Sequence, residues 1–222
     1  MEAIADILIG YVAFILALTV HECAHAWIAD KCGDPTARMM GRMTLNPLPH
    51  IDPVGTVLIP LLPSVMALFA GGAGGLLGFS LVGWGKPVPV NPRNFRGGSR
   101  DDVFVSVAGP LSNLATTLVA LGLLRLLVLV NIPMLQESLE SLLMMLAMIS
   151  FCLAFFNMLP VPPLDGSHLL RYFLSFNGRQ MLDQIGRMGF IPILILVNTP
   201  VWHLFSRAMW FLYSCLYTLF FF

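Results

Sequence analysis

The sequence predicts an all-α, multi-pass membrane protein with about six transmembrane helices. Of its 222 residues, 57% are hydrophobic and 11% are charged, whereas a soluble domain is about 45–50% apolar and about 25% charged. The 12 basic and 12 acidic residues are too few to solvate the surface of a water-soluble protein of this size. The chain also contains apolar runs of about 20 residues, the length that a helix needs to cross a bilayer.

Five apolar runs account for these helices. Three of them are predicted to be single spans, at about 4–29, 103–130 and 142–158. The run 54–85 contains GGAGG near its middle, which favours a helical hairpin that enters the bilayer and returns. In the run 186–222, Pro192 and Pro200 are placed to break a helix. This run, like 54–85, crosses either once or twice.

The basic residues indicate how the spans are oriented, because cytoplasmic loops are enriched in Lys and Arg. Ten of the 12 basic residues lie in three segments: Lys31, Arg38 and Arg42; Lys86, Arg93, Arg96 and Arg100; and Arg171, Arg179 and Arg187. The segment 131–141 has no Lys or Arg but carries Glu137 and Glu140. We therefore expect the N-terminus outside and the three basic segments in the cytosol.

A single integral-membrane domain is expected over residues 1–222, with a core at about 4–180 and C-terminal helices at about 186–222. The N-terminal sequence MEAIADILIG has no Lys or Arg, unlike a secretory signal, so the first span is expected to be retained. The formal net charge is zero, which argues against nucleic-acid binding and leaves membrane lipid as the expected surroundings. No particular oligomeric state is predicted.

The sequence HECAH at 21–25 places ionisable side chains at the end of the first apolar span. His21 and His25 are four residues apart, so they lie on one face of a helix and can bind the same metal ion. Glu22 lies one residue further round and can reach a water held by that ion. H-E-x-x-H is therefore a zinc-hydrolase motif, and a metal would offset the cost of an ionised group at bilayer depth. The alternative is a polar helix end that the cytosol solvates.

A catalytic zinc takes three protein ligands and keeps one position for water, so a third ligand must come from elsewhere. The candidates are His50, Asp52, Asp165, His168 and His203. Asp165 is favoured because it lies in FNMLPVPPLDG after an apolar span, where the prolines prevent a helix and unwound backbone can line a cavity. His168 is better explained as a polar residue at a helix start. His50 and Asp52 are expected to be solvated in a cytosolic loop, from which His50 could visit the site, and His203 to lie at the membrane interface.

Together these motifs resemble those of the site-2 protease family of intramembrane zinc metalloproteases. The resemblance rests on HECAH, on AGPLSN ending at Asn113, on NMLPVPPLDG at 157–166, and on GKPVPVNPRNFR at 85–96. Their order and separation fit the family from residue 4 to about 180. Larger members carry a PDZ domain or a pair of CBS domains, so 222 residues predict a compact, core-only member.

The resemblance implies a Zn²⁺ ion bound by His21, His25 and Asp165, with Glu22 as general base and acid. It assigns four further residues to the substrate-binding cavity: Asn113, Asn157, Pro160 and Pro162. It also implies a small membrane-associated β-hairpin after the first helix. The candidate for that hairpin is TARMMGRMTLNP at 36–47, with Gly41 near its middle.

The implied activity is zinc-dependent endoproteolysis within the membrane, with transmembrane segments of other proteins as substrates, as in regulated intramembrane proteolysis. The expected location is a prokaryotic plasma membrane, with the active site toward the cytosol. A helical substrate hides its scissile carbonyl in backbone hydrogen bonds, so part of it must unwind. The edge of the hairpin could then hold the unwound segment by strand addition.

Three alternatives compete with this interpretation. A metal-ion transporter would also place His and carboxylate side chains in a bundle, but it predicts ligands all the way across the membrane. A catalytically inactive scaffold would keep zinc for stability only. A membrane-tethered protease acting on soluble substrates is less favoured, because the sequence contains no soluble catalytic domain.

Overall fold

The computed structural model describes residues 2–62, 83–130 and 136–222. Within these ranges the regular structure is helical throughout. The helices are α1 (Glu2–Lys31), α2 (Thr36–Met39), α3 (Pro53–Leu62), α4 (Ser99–Val130), α5 (Gln136–Asn157), α6 (Gly166–Phe173), α7 (Phe176–Gly186), α8 (Ile191–Val197) and α9 (Pro200–Phe221). Two short 3₁₀ turns lie at Leu48–His50 and Pro92–Asn94.

Helices α1, α4 and α5 pack against one another and form the centre of the bundle. The α1–α5 contact is built from small and large residues, with Ala13 and Ala17 beside Phe14, all fully buried, against Ile149 of α5. Alanine at such positions lets two helix backbones approach closely. Similar packing joins α4 to α5, where Ala120 and Leu121 meet Ala147, and α9 covers the outer side of both helices.

Four helices of the described residues are long and apolar enough to span a bilayer: α1, α4, α5 and α9. The predictions at 4–29, 103–130 and 142–158 are thereby confirmed as helices. The predicted break within 186–222 is also confirmed, because α9 begins at Pro200. A stripe of α1 with four-residue spacing stays uncovered at Ile4, Leu8, Val12 and Leu16. An uncovered apolar stripe of this length fits a lipid surrounding rather than water.

The predicted count of six spans is not supported by the described part of the chain. Helices α7 and α8 are bent by 88° at a short break and could together form a fifth, broken span. The hairpin predicted over 54–85 falls largely on residues 63–82, which lie outside the described ranges. Its described beginning is α3, a ten-residue apolar helix (Pro53–Leu62).

The β-hairpin predicted at 36–47 is not present, and the residues that the structure describes contain no strand. The segment begins instead with the helical turn α2 and continues as turns and bends, with Gly41 at a φ of 68°. The reason is local, because Oδ1 of Asp34 accepts from both the backbone N–H and the hydroxyl of Thr36. Such a side-chain bond starts a turn and competes with strand pairing.

The same aspartate ties several loops together at one end of the bundle. Asp34 is fully buried, and its carboxylate also accepts from the N–H of Asn91 at 2.7 Å and from the side chain of Asn94 at 2.8 Å. Nearby, the guanidinium of Arg42 donates to the carbonyl oxygen of Lys86 at 2.6 Å. The predicted basic segments that follow α1 and precede α4 therefore lie at the same end of the bundle.

Candidate metal centre

Two histidines of α1 face the interior of the bundle. His21 and His25 are buried and lie one helical turn apart. Their rings meet edge to face with centroids 4.6 Å apart, and their Nε2 atoms are 3.0 Å apart. The four-residue spacing thus brings two imidazole nitrogens to one point. His25 is six residues, or about 9 Å along the helix axis, from Lys31 at the basic end of α1.

The carboxylate of Asp165 reaches the same point from the segment between α5 and α6. Its Oδ2 atom is 3.1 Å from Nε2 of His21 and 3.4 Å from Nε2 of His25. One ligand atom from each of the three residues lies within 4.8 Å of the other two. Across the described ranges, no other three His, Cys, Asp or Glu side chains converge in this way.

Asp165 is presented by a tight turn that only glycine can complete. A Cβ on Gly166 would lie 2.3 Å from the carbonyl oxygen of Met158 and 2.5 Å from that of Leu159. The turn is closed by a 3.0 Å hydrogen bond from the N–H of Leu164 to Val161. Gly166, the first residue of α6, therefore lies directly against the backbone of the two residues that follow α5.

Helix α4 forms the wall beside the two imidazoles, and it too depends on a glycine. A Cβ on Gly109 would lie 2.4 Å from Nε2 of His25 and 2.6 Å from Nε2 of His21. Heavy atoms do not approach that closely, so any side chain at this position would displace a ring or the helix. Gly109 therefore leaves the space in which the two nitrogens and the carboxylate converge.

The donor set fits a divalent cation. Nδ1 of His25 is 2.7 Å from the carbonyl oxygen of Val105, which can only accept, so a neutral His25 has a lone pair on Nε2. Oδ2 of Asp165 is buried and receives no well-aligned hydrogen bond, although Nε2 of His21 is 3.1 Å away. Tetrahedral zinc with ligands at about 2.0–2.2 Å places them about 3.3 Å apart, close to the observed 3.0–3.4 Å.

Glu22 lies next to this group in the chain, and a backbone amide holds its carboxylate. Oε2 accepts a 2.9 Å hydrogen bond from the N–H of Val88. Val88 lies in the segment KPVPV at 86–90, which has no regular secondary structure and in which Pro87 and Pro89 have no N–H to donate. Within the sequence Pro-Val-Pro, Val88 is thus the one residue whose backbone N–H can donate to Glu22.

The segment that carries Val88 is anchored on both sides of it. The N–H of Lys86 donates to the carbonyl oxygen of His50 at 2.9 Å. On the other side, the N–H of Asn91 donates to the buried carboxylate of Asp34. These anchors determine where the amide of Val88 lies relative to the carboxylate of Glu22.

The four residues assigned by resemblance to the substrate cavity occupy different environments. Asn113 is fully buried, and its side-chain nitrogen is 3.1 Å from Nδ1 of His21. Asn157 is partly buried at the end of α5 and donates to the carbonyl oxygen of Leu153. Pro160 is exposed, whereas Pro162 is buried in the segment that leads to Asp165.

The other four candidate ligands lie outside the group. His168 lies in the first turn of α6 and pairs with Asp102 at 3.3 Å, a hydrogen bond that raises the pKa of His168 against the effect of burial. Asp52 accepts from two amides at the start of α3, and His203 is exposed. His50 was expected to be solvated, but it is 1% exposed, with Nε2 2.9 Å from the carbonyl oxygen of Thr44.

Three contributors to the site were not singled out from the sequence. Val88 and Val105 act through their backbone groups, which every residue type carries, so the sequence does not single them out. Gly109 lies within AGPLSN, a motif that was recognised as a whole. The proline residues on both sides of Val88 are the one signal that could have drawn attention to its amide.

The chain is similar in sequence to a known family of peptidases. The model for peptidase family M50 matches residues 126–197. The "Putative zinc metalloprotease YwhC" of Bacillus subtilis (strain 168) is 37% identical over 202 residues, which cover 90% of this chain and 83% of that protein. No solved structure matches the chain.

Mycobacterial relatives are more distant. The "Putative zinc metalloprotease Rip2" of Mycolicibacterium smegmatis is 27% identical over 200 residues, covering 89% of this chain and 70% of that protein. Rip2 of Mycobacterium tuberculosis (strain ATCC 25618 / H37Rv) is 27% identical over 188 residues, covering 84% of this chain and 65% of its own length. These alignments extend far beyond the segment that the family model matches.

Proposed function

The chain belongs to peptidase family M50, the site-2 proteases, and is a multi-pass membrane zinc metalloprotease; on this basis we propose that it cleaves transmembrane segments of other membrane proteins. His21, His25 and Asp165 are the proposed zinc ligands, and Glu22 is the proposed general base. The observation that carries the proposal is the convergence of these three ligand groups at one buried point beside Glu22.

When bound, zinc supplies a Lewis acid that activates a water and polarises the scissile carbonyl. Glu22 accepts the proton of the attacking water and delivers it to the nitrogen of the departing amine, so that one peptide bond and one water become a carboxylic acid and an amine. The hydrogen bond from Val88 holds the carboxylate of Glu22 in one orientation. Asn157, Pro160 and Pro162 are proposed to line the path of the substrate.

A membrane-embedded substrate is supported by the position of the site within the helix bundle. His21 and His25 belong to a helix that is long and apolar enough to span the bilayer. A substrate helix must unwind locally, because its scissile carbonyl is otherwise hydrogen-bonded within the helix. The site lies toward the end of the bundle that gathers the basic loops. We therefore propose a cytosolic orientation in a prokaryotic plasma membrane, and a role in regulated intramembrane proteolysis.

Two of the rival functions, the transporter and the inactive scaffold, make different demands on the chain. A transporter needs a succession of ligands through the membrane, whereas within the described spans the convergent ligands are confined to one place. An inactive scaffold keeps the ligands but has no use for a positioned general base. The hydrogen bond between Glu22 and Val88 favours the protease over the scaffold.

The decisive experiment co-expresses the chain with a library of tagged, single-span substrates and compares wild type with Glu22→Gln. We expect the wild type to cut at least one substrate, and Glu22→Gln to cut none while retaining one zinc per chain. Cleavage by Glu22→Gln at the wild-type rate would reject the assignment of Glu22. Purified wild type without stoichiometric zinc would reject the proposed metal centre.

A further inference from the structure

Asn113 is the residue that occupies the far side of His21 from the candidate metal centre. It belongs to α4, is fully buried, and its carboxamide lies 3.1 Å from Nδ1 of His21. Its own Oδ1 atom is buried without a hydrogen-bond partner. Either end of a buried carboxamide costs about 1–3 kcal/mol when it has no partner, so the unpaired atom does not by itself decide which end faces His21.

The two ends of an asparagine carboxamide are nearly indistinguishable in shape, so the hydrogen-bond network must decide between them. With the nitrogen toward His21, Nδ1 of the ring must accept, and the proton of the neutral ring then lies on Nε2. That proton would point at Nε2 of His25 and at Asp165. With the oxygen toward His21, Nδ1 carries the proton, and Nε2 has a free lone pair.

Metal binding through Nε2 requires the second arrangement. His25 already has it, because the carbonyl oxygen of Val105 accepts from Nδ1 at 2.7 Å. For His21, the side chain within hydrogen-bond distance of Nδ1 is that of Asn113. An amide nitrogen cannot accept a hydrogen bond. Only Oδ1 of Asn113 can therefore accept from Nδ1 of His21, as the carbonyl oxygen of Val105 accepts from Nδ1 of His25.

We propose that Asn113 is a positioning residue: its Oδ1 accepts the Nδ1 proton of His21 and so reserves Nε2 for the metal. This inference rests on the proposed zinc ligands. It also gives Asn113 a different role from substrate contact, which its complete burial does not favour. Partners of this kind fix the tautomer of a metal-binding histidine, and their loss weakens metal affinity about 10–100-fold.

Two substitutions separate hydrogen bonding from shape. Asn113→Leu has a similar size but no acceptor, and Asn113→Asp retains acceptors. Thr117→Val is the matched control, because Thr117 lies one turn further along α4, is also fully buried, and bonds to backbone oxygens rather than to a histidine. The measurement is the zinc dissociation constant of the full chain in detergent, obtained by competition with a chromophoric chelator.

We expect Asn113→Leu to weaken zinc binding about 10–100-fold, and Asn113→Asp and Thr117→Val to bind as tightly as the wild type. Wild-type affinity in Asn113→Leu, or equal losses in the Leu and Asp variants, would overturn the role of the acceptor. Wild type that binds no zinc would instead remove the proposed metal centre, so the two failures are distinguishable.

A second measurement does not depend on the folding of any variant. In zinc-loaded wild type with ¹⁵N-labelled histidine, Nδ1 of His21 should carry a bonded, slowly exchanging proton. A proton on Nε2 of His21, or none on Nδ1, would overturn the proposal even if every substitution destabilised the protein.

Discussion

The backbone N–H of Val88 donates a 2.9 Å hydrogen bond to Oε2 of Glu22, a residue 66 positions earlier in the chain. A general base is effective only when its carboxylate is held within reach of the proton it accepts. The amide of Val88 provides that restraint without adding a second titratable group. The segment 86–90 is thus part of the proposed catalytic apparatus, although none of its side chains is proposed to react.

Val88→Pro removes the N–H and so the hydrogen bond, and its ring takes the place where the carboxylate of Glu22 is held. A residue that precedes a proline, as Val88 does, already favours the extended backbone that a further proline accepts. We expect kcat for substrate cleavage to fall about tenfold, a fraction of the 10²–10⁴-fold that a general base contributes. The zinc content should not change, because Val88 contacts no proposed ligand. The measurement is single-substrate cleavage in detergent, with zinc determined in parallel.

Val88→Ala is the control for this substitution, since it shortens the side chain but keeps the N–H. Its kcat should stay within about twofold of the wild type. If the Pro and Ala variants cleave equally well, the hydrogen bond to Glu22 has no part in catalysis.

Gly109→Ala is expected to disrupt the proposed metal centre. The added Cβ would lie 2.4 Å from Nε2 of His25 and 2.6 Å from Nε2 of His21, which forces the rings or α4 to move. Zinc affinity should fall at least about 100-fold, in keeping with the loss of ligand geometry, and cleavage should be lost with it. Chelator competition measures the first effect and the substrate assay the second.

The same helix offers a matched glycine. A Cβ on Gly122 would have only Phe220 as a neighbour, at 3.8 Å. Gly122→Ala should keep full zinc affinity and gain about 0.5–1 kcal/mol of helix stability. A zinc affinity that falls equally in both variants would show that α4 is sensitive to any added methyl group and not to the space beside the histidines.

The parts of this architecture that could be predicted from the sequence are those that depend on the local pattern and spacing of residues. Apolar runs of spanning length predicted α1, α4, α5 and α9, and the spacing of His21 and His25 predicted a shared helix face. Asp165 was favoured because prolines beside it rule out a helix. Each of these inferences needs only the residues within a few turns of the feature in question.

The parts that were missed depend on how distant segments pack. The amide of Val88 and the carbonyl of Val105 carry no residue-specific signal, and the need for glycine at position 109 exists only once α4 lies against α1. The β-hairpin expected at 36–47 failed for a related reason. Apolar and polar residues alternate only imperfectly in this segment, and the buried carboxylate of Asp34 holds Thr36 in a turn while it binds residues 57 and 60 positions away.

Asp34→Ala is expected to destabilise the fold more than any other single carboxylate change at this end of the bundle. The substitution removes the fully buried carboxylate that accepts from the N–H of Asn91 and from the side chain of Asn94, two residues that are themselves exposed. Each such loss costs about 1–3 kcal/mol, so about 3 kcal/mol in total is expected. Asp30→Asn is the control, because its ion pair with the exposed Arg38 contributes at most about 1 kcal/mol.

The contribution of Asp34 should also depend on pH, with a defined sign. Burial raises the pKa of Asp34, but hydrogen bonds from Asn91, Thr36 and Asn94 outweigh it and lower the pKa below its ordinary value of 3.8. A carboxyl whose pKa is lower in the folded state stabilises the protein fully above the unfolded value and loses that effect as pH falls through the folded value. The difference in thermal stability between wild type and Asp34→Ala should therefore be constant at neutral pH and shrink below about pH 4. If the stability difference instead grew on acidification, the donors around Asp34 would have to favour its protonated carboxyl. That outcome would contradict the charged hydrogen-bond network that anchors the segment of Val88 beside Glu22.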